Sequence, residues 1–281
     1  MKKRTIIFIG TSSFAITTLE ELIENGYEIL AVITAPDKPV GRKQELTPSP
    51  IKEIALKYNL VIFQPEKISE VKEKISQLNP DLIITSSYGQ IIPKNIIDIP
   101  KKGSLNLHPS LLPKYRGPSP IQTAILNGEE VTGVTIIKMD EKMDHGPIIT
   151  QQETNINPND TYESLENKLS DQITDLLIKT LPRYFKNKIQ LKIQDESKAT
   201  YTKILTRDNG KIDLQKDVQE IERKVRAFSP WPGTWTEINN QRVKILKVKI
   251  KNNLLSLELI QPAGKKPMTG EEFFRGHQIK N

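Results

Sequence analysis

Short apolar runs alternate with amphipathic stretches through the first half of this 281-residue chain, and no other feature constrains the fold as strongly. Runs such as Thr5–Ile9 and Asp81–Thr85 have the length and residue types of buried strands. Between them, apolar residues recur at helical spacing in segments such as Ile16–Asn25, which Gly26 is placed to end. Strands that alternate with helices form a mostly parallel sheet with helices on both faces. We therefore expect a Rossmann-like α/β domain whose ligands bind beyond the carboxyl ends of the strands.

The same patterns assign the remaining elements and divide the chain. Further strands are predicted over 27–33, 103–108, 133–139 and 147–152, and further helices over 51–58, 68–78 and 162–185. Residues 189–201 are polar and lack helical periodicity, whereas Val243–Ile250 and Leu254–Ile260 alternate as strands do. We therefore predict three parts in chain order: a catalytic domain (1–189), a linker (190–205) and a smaller β-rich domain (206–281).

Composition excludes several kinds of chemistry. The chain has no cysteine, so it cannot form disulfides, thiolate metal ligands or a cysteine nucleophile, which agrees with a reducing compartment. With three histidines, a multi-histidine metal site is hard to build, and we expect no metal. No apolar run approaches the ~18 residues of a membrane helix, and the run near the amino terminus is too short for a signal peptide. We expect a cytoplasmic protein without a membrane partner.

The net charge of +7 lies entirely in the last third of the chain. Residues 190–281 contain 18 Lys and Arg against 11 Asp and Glu, whereas the first 189 residues contain 23 of each. Clustered cations attract polyanions, although a solvated, lysine-rich surface would produce the same count. Five of these cations have a spacing that predicts one face of a strand: Arg242, Lys244, Lys247, Lys249 and Lys251.

The turn after the first strand carries no nucleotide-binding motif. Gly10–Ala15 lies where nucleotide-binding folds place their phosphate loop, but neither G-x-G-x-x-G nor G-x-x-x-x-G-K-[ST] is present. We interpret this turn as structural and expect no dinucleotide cofactor.

The segment Gly103–Gly117 concentrates the residue types that chemistry requires. Asn106 and His108 are two residues apart on a predicted strand, so their side chains point the same way at its carboxyl end. Asp144 lies in a later turn from which it can reach His108. A packing histidine and a turn-forming aspartate are the structural alternatives. From these residues alone we infer an α/β enzyme with its site near Asn106 and His108, without a defined reaction.

The strand motif and the later turn resemble those of the formyltetrahydrofolate-dependent formyltransferases. The motif reads N-L-H-P-S-L-L-P-K-Y-R-G, and the later segment reads T-G-V-T-I-I-K-M-D-E-K-M-D-H-G-P-I. The likeness extends almost end to end through F-I-G-T-S-S-F-A, T-A-P-D-K-P-V-G-R-K, S-Y-G-Q-I-I-P, R-A-F-S-P-W-P-G and P-A-G-K-K-P-M. The first motif is highly specific for formyl transfer, and the second-domain motif points to an acceptor carried on tRNA.

The resemblance implies roles for particular residues. It places the catalytic groups at Asn106, His108 and Asp144. It places the folate-binding groups at Ser110, Leu111, Leu112, Pro113, Gln90 and Ile91. It places tRNA contacts at Arg42 and Lys43 in the loop 34–48, and at Lys244, Lys247 and Lys249 in the second domain. A proline- and glycine-rich surface loop with solvated charges is the alternative for the loop 34–48.

The resemblance also implies the substrates. The formyl donor would be 10-formyltetrahydrofolate, and the acceptor the α-amino group of initiator methionyl-tRNA, with the protein acting as a monomer. A formyltransferase for a small amine, such as an amino-sugar nucleotide or glycinamide ribonucleotide, would share the catalytic residues but would not need the basic last third. A hydrolase that releases formate would use water as the acceptor. A non-catalytic RNA-binding relative would not need the catalytic residues.

Two features depart from the family pattern. His145 stands where the family usually has a small or hydroxylic residue. Between Val248 and Leu254 the family carries an additional strand, turn and strand, where this chain has only Lys249–Asn253. The family's small domain resembles an OB-fold, so we expect a shortened version here.

Overall fold

The computed structural model describes residues 3–41 and 44–275, which form two compact units. The first unit comprises the chain up to 118, 132–154 and 166–201; the second comprises 119–131, 155–165 and the chain from 202 onward. Most of the predicted linker therefore groups with the first unit, and two earlier segments group with the carboxyl-terminal residues. Whether the three predicted parts behave as separate domains stays a prediction.

The predicted helices and strands occur in the predicted order, with bounds that differ at the ends. In chain order the helices and strands of the structure are β1 (Thr5–Gly10), α1 (Ile16–Glu24), β2 (Glu28–Ile33), β3 (Lys38–Val40), β4 (Glu45–Thr47), α2 (Pro50–Lys57), β5 (Ile62–Phe63), α3 (Lys72–Leu78), β6 (Leu82–Ser86), α4 (Lys94–Ile97), β7 (Ser104–His108), α5 (Pro120–Leu126), β8 (Val131–Lys138), β9 (Ile148–Asn155), α6 (Tyr162–Phe185), α7 (Val218–Phe228), β10 (Thr234–Ile238), β11 (Gln241–Lys251), β12 (Leu254–Pro262) and α8 (Gly270–Arg275). Eight of these are not among the predicted elements: β3, β4, β5, α4, α5, α7, β10 and α8.

Seven strands form one sheet in the order β5-β2-β1-β6-β7-β8-β9. Strand β1 is parallel to β2 and β6, β6 is parallel to β7, and β8 is antiparallel to β7. The apolar residues Ile6–Ile9 of β1 are fully buried, as expected for a strand covered on both faces. The predicted Rossmann-like, mostly parallel sheet is confirmed.

The carboxyl ends of β6 and β7 lie side by side at one edge of this sheet. The register pairs Thr85 with Asn106. His108, the last residue of β7, pairs with Thr135 of β8. Because side chains alternate between the faces of a strand, Asn106 and His108 point the same way.

The 24 residues of α6 confirm the helix predicted over 162–185. Its apolar positions recur every four residues and are fully buried: Leu165, Leu169, Ile173, Leu177 and Leu181. Among the described residues no helix is both long and apolar enough to cross a membrane.

The second unit contains a three-stranded antiparallel sheet in the order β10-β11-β12. Asn252 and Asn253 join β11 to β12, with φ angles of 49° and 60°. Two consecutive left-handed residues are typical of the tight turns that match strand twist. The short connection predicted from the sequence is therefore a direct hairpin.

The exposed face of β11 carries five cations, Arg242, Lys244, Lys247, Lys249 and Lys251. Its core side carries Val243, Ile245 and Val248. Strict alternation would put Lys244 and Lys247 on opposite faces, because they are three residues apart. The pairing register with β12 shifts on both sides of Lys247, and Leu246 and Lys247 are both exposed. The predicted cationic face is present, but a strand irregularity produces it.

Candidate active site

His108 is nearly fully buried at the carboxyl end of β7, with 4% of its surface exposed. Its Nε2 atom lies 2.9 Å from the carbonyl oxygen of Tyr115. A carbonyl only accepts hydrogen bonds, so we assign a proton to Nε2. Its Nδ1 atom lies 3.6 Å from Oδ2 of Asp144. Nδ1 is therefore the ring nitrogen that is free to act on a substrate.

Asp144 is fixed through both of its carboxylate oxygens. Oδ1 accepts a hydrogen bond from Nδ2 of Asn106 at 2.9 Å, and Oδ2 accepts one from the backbone N–H of Gly117 at 2.8 Å. The structure thus brings together Asn106, His108 and Asp144, the three residues that the resemblance assigns to catalysis. The contact with Asp144 also orients the Asn106 amide, whose second N–H stays available.

The backbone of the turn that carries Asp144 is constrained in three ways. Asp144 has a left-handed conformation, with φ of 51°. A side chain at Gly146 would place its Cβ 1.9 Å from the carbonyl oxygen of Lys138, so only glycine fits. Gln194 donates from Nε2 to the carbonyl oxygens of both Asp144 and Gly146, each at 2.8 Å. The turn is therefore a rigid support for the carboxylate.

Arg116 organises the segment that holds this turn, and its side chain is completely buried. Its guanidinium donates to Oε1 of Gln194 at 2.8 and 3.1 Å, to both carboxylate oxygens of Glu196 at 2.6 and 3.0 Å, and to the Tyr201 hydroxyl at 3.0 Å. These hydrogen bonds hold the pKa of the Glu196 carboxyl below its usual value, and the same contact raises the pKa of Arg116. Sequence reasoning missed Gln194 and Glu196, because they lie in a polar stretch without periodicity.

The loop Ser110–Pro113 is held rigidly beside His108. Ser110 is fully buried, and its hydroxyl donates to the carbonyl of Lys114 at 2.6 Å. Thr135 donates to the Ser110 carbonyl at 2.6 Å and accepts from the N–H of Leu112 at 3.1 Å. Gln151 donates to the Leu112 carbonyl at 2.7 Å. Ser110 therefore shapes this loop from inside.

The segment after β6 contains the other two residues predicted to bind folate. Gln90 uses both ends of its amide on backbone groups, accepting from the N–H of Ile68 and donating to the carbonyl of Glu66. Ile91 is 81% exposed, which is unusual for a large apolar side chain. Both residues follow the carboxyl end of β6, which adjoins the end of β7 that carries His108.

Three hydroxyls near this sheet edge are buried and have no hydrogen-bond partner within the described residues: Thr85, Ser86 and Tyr88. Burial raises the pKa of the Tyr88 hydroxyl to about 12. A buried hydroxyl without a protein partner ordinarily bonds to water or to a ligand. Thr85 and Ser86 are consecutive on β6 and so point to opposite faces of the sheet, and Tyr88 packs in an apolar cluster with Ile7 and Ile9.

The residues predicted to contact tRNA are placed in part. Arg42 and Lys43 lie outside the described residues. The base of their loop is closed by a 2.7 Å hydrogen bond between the hydroxyls of Thr34 and Ser49. On β11, the three residues predicted to contact tRNA are all exposed: Lys244, Lys247 and Lys249. Lys247 forms a 3.0 Å ion pair with Glu258 of β12.

Comparison with known proteins agrees with the fold. Residues 3–181 match the family model for formyl transferase, and residues 204–254 match that for the formyl transferase C-terminal domain. This chain belongs to the formyl transferase family. Its relatives include a methionyl-tRNA formyltransferase from Thermodesulfovibrio yellowstonii, 43% identical over 297 residues, which cover 98% of this chain and 96% of the relative.

A second relative and a solved structure extend the comparison. The methionyl-tRNA formyltransferase of Sulfurihydrogenibium sp. is 39% identical over 98% of this chain and 97% of its own. That alignment spans 303 positions, more than the 281 residues of this chain, so the relative has residues that this chain lacks. An N-formyltransferase from Helicobacter canadensis, in complex with folinic acid and dTDP-3-aminofucose, is 26% identical with a TM-score of 0.67 over 89% of each chain.

Proposed function

We propose that this protein transfers a formyl group from 10-formyltetrahydrofolate to the α-amino group of initiator methionyl-tRNA in the cytoplasm. The observation that carries the chemistry is the fixed arrangement of Asn106, His108 and Asp144 at the carboxyl end of β7. The acceptor is supported by relatives named methionyl-tRNA formyltransferase that are 39–43% identical over nearly the whole chain. The Helicobacter canadensis N-formyltransferase, whose structure contains dTDP-3-aminofucose, is more distant in sequence, at 26% identity.

The acceptor amine requires little activation. An α-amino group titrates near pH ~8, so part of it is neutral and nucleophilic at neutral pH. Its attack on the formyl carbon forms the new C–N bond and converts the carbonyl oxygen into an oxyanion. When this intermediate collapses, the bond between the formyl carbon and N10 of the folate breaks, and tetrahydrofolate leaves with a proton on N10 that balances the proton lost by the amine. Hydrogen-bond donors that face this oxygen lower the barrier, and one such donor typically contributes ~3–4 kcal/mol.

Asn106 and His108 supply these donors. One N–H of Asn106 is occupied by Asp144, and the other is available to the oxyanion. Nε2 of His108 is occupied by the Tyr115 carbonyl, so donation from this ring comes from a protonated Nδ1. Oδ2 of Asp144 faces the same Nδ1 at 3.6 Å. Asp144 is also the nearest base for the proton that the amine loses.

We assign the two substrates to different elements of the chain. The loop Ser110–Pro113 and the segment Gln90–Ile91 flank the carboxyl ends of β7 and β6, and we assign the folate to this edge. The cations of β11, with Arg42 and Lys43, are assigned to the tRNA phosphates, because phosphate contacts need clustered positive charge. We propose that the protein acts as a monomer and needs no metal for this reaction.

The deciding experiment measures formyl transfer from 10-formyltetrahydrofolate to charged initiator methionyl-tRNA at low and high salt, with a dTDP-linked amino sugar and water as alternative acceptors. We expect formyl-methionyl-tRNA to form and its rate at subsaturating tRNA to fall steeply with salt. Turnover with the amino sugar alone would overturn the tRNA assignment. Release of formate without any acceptor would instead support a hydrolase.

A further inference from the structure

The side chain of His145 lies between two carboxylates. Its Nδ1 atom is 2.6 Å from Oδ2 of Asp140, and its Nε2 atom is 3.4 Å from Oε1 of Glu196. A neutral imidazole carries one proton and can donate to one carboxylate, while its lone pair faces the other. A protonated imidazole donates to both. The geometry around this ring therefore fits the imidazolium form.

This ring closes a circuit of contacts around the turn that carries Asp144. Glu196 is bonded to the buried guanidinium of Arg116, and Arg116 is bonded to Gln194. Gln194 returns to the turn through the carbonyl oxygen of Asp144, the residue directly before His145. The turn is thus fastened to the segment 194–196 at two points, by Gln194 at the backbone and by His145 at a side chain.

We propose that His145 is a positioning residue of the formyl-transfer reaction: as an imidazolium it bridges Asp140 and Glu196 and so holds the Asp144 carboxylate against Asn106 and His108. This inference rests on the proposed function. His145 acts through Asp144, because the recorded ion pairs of its ring, among the described residues, are with Asp140 and Glu196 and not with Asn106 or His108. Its effect is exerted on the rate of the chemical step and not on substrate binding.

The charged groups around the ring define what its deprotonation would change. Asp140 belongs to the same turn, and Glu196 faces the ring from the neighbouring segment. Arg116 and Lys142 act electrostatically on Glu196, so Glu196 keeps cationic partners when the ring is neutral. Loss of the bridge therefore loosens the turn without leaving a buried carboxylate unpaired. We expect a change in kcat and an unchanged fold.

The first test compares the pH profiles of kcat for the wild type, His145→Ala and His145→Asn. In the pH range where ¹⁵N spectra of the wild type show both ring nitrogens of His145 protonated, we expect kcat of His145→Ala to be about two- to fivefold lower, as for a partly exposed ion pair. Where the spectra show a neutral ring, the difference should be smaller. His145→Asn can donate to one carboxylate and should fall between the two. Lys198→Ala, which removes an exposed charge from the same surface segment, is the control and should match the wild type.

The second test does not depend on turnover. Imidazole ¹⁵N spectra of the wild type, with His145 assigned through His145→Ala, should show both ring nitrogens protonated at low pH, and the backbone amide of Asp144 should titrate with the ring. The proposal would be overturned if the chemical shift of the Asp144 amide did not change in this titration. It would also be overturned if kcat of His145→Ala equalled that of the wild type at every pH. A wild type inactive toward methionyl-tRNA would count against the proposed function, and the spectra would then decide the role of His145.

Discussion

The turn that carries Asp144 and the cationic face of β11 are built on opposite principles. Around Asp144, both carboxylate oxygens and the backbone carbonyl have hydrogen-bond donors, and the guanidinium of Arg116 is completely buried. Along β11, the cations are exposed on one face of the strand, and Lys247 forms an ion pair with Glu258. The energy of a buried hydrogen bond depends on its distance and direction. Exposed charges attract a polyanion mainly through their total charge, and salt screens this attraction. A single substitution should therefore have a large effect in the first region and a small one in the second.

The largest effect is expected from Asn106→Ala or His108→Ala. In the proposed reaction each removes a donor to the developing oxyanion, so kcat should fall by about 10²–10³-fold with little change in the KM for tRNA. Steady-state kinetics with methionyl-tRNA provide the measurement. Asn25→Ala, at the exposed end of α1, is the matched control and should retain full activity. Near-normal turnover in both active-site variants would remove these residues from the mechanism.

The second-largest effect on kcat is expected from Gln194→Ala. This substitution removes the hydrogen bonds that hold the backbone of the turn and leaves the Asp144 carboxylate in place. The substitution removes one acceptor of Arg116 and the side-chain donor of the carbonyls of Asp144 and Gly146, at about 1–3 kcal/mol of unfolding free energy for a buried unsatisfied group. Urea unfolding should show the loss, and kcat should fall with it. Gln215→Ala, at an exposed glutamine, should change neither quantity.

Modest effects are expected from Lys244→Ala and Lys249→Ala on β11. Each should weaken tRNA binding by a small factor and reduce the slope of log K against log salt by about 1, because one phosphate contact is lost. Filter binding or fluorescence titration over a salt series would measure both. Lys186→Ala, an exposed lysine of the first unit, should leave the slope unchanged. A large loss from either β11 variant at constant slope would mean that this face, too, works through specific contacts.

The smallest effect on stability at neutral pH is expected from substitution of Tyr88 or Tyr184. Burial raises the pKa of each of these tyrosines to about 12. An unfolded tyrosine titrates near pH ~10, so their contribution to stability is complete below that pH and is lost as the pH rises toward about 12. Tyr184 donates to the Lys102 carbonyl, whereas Tyr88 has no described partner. Tyr88→Phe should therefore be nearly neutral at pH 7 and Tyr184→Phe mildly destabilising. Both should resist alkaline unfolding better than the wild type.

The sequence predicts the parts of the structure whose causes are local. Apolar periodicity placed β7 correctly, and the two-residue spacing put Asn106 and His108 on one face. Gln194 and Glu196 were missed because their importance comes from a long-range contact with Arg116, about which local composition carries no information. The resemblance to a family supplied the reaction, which the residue types alone did not.

Two further features show where pattern reasoning fails for different reasons. Helix α7 is not among the predicted elements, although the sequence carries its signal: Asp217 caps it, and Ile221 and Val225 are buried at helical spacing. The register shift beside Lys247 has no comparable signal, since it depends on the pairing of β11 with β12. The prediction of the cationic face assumed that side chains alternate strictly along β11, and the strand breaks this alternation at Lys247.

The close approach of Gly146 to the Lys138 carbonyl bears on how this enzyme can diverge. Three consecutive residues of the turn differ in their freedom to mutate. Gly146 is confined by sterics, and Asp144 by the contacts of its carboxylate. His145 lies between them with its ring directed at surface-accessible partners, so substitutions there leave the scaffold intact. Of these three consecutive positions, the one next to Asp144 is therefore the position at which the scaffold best tolerates a different side chain.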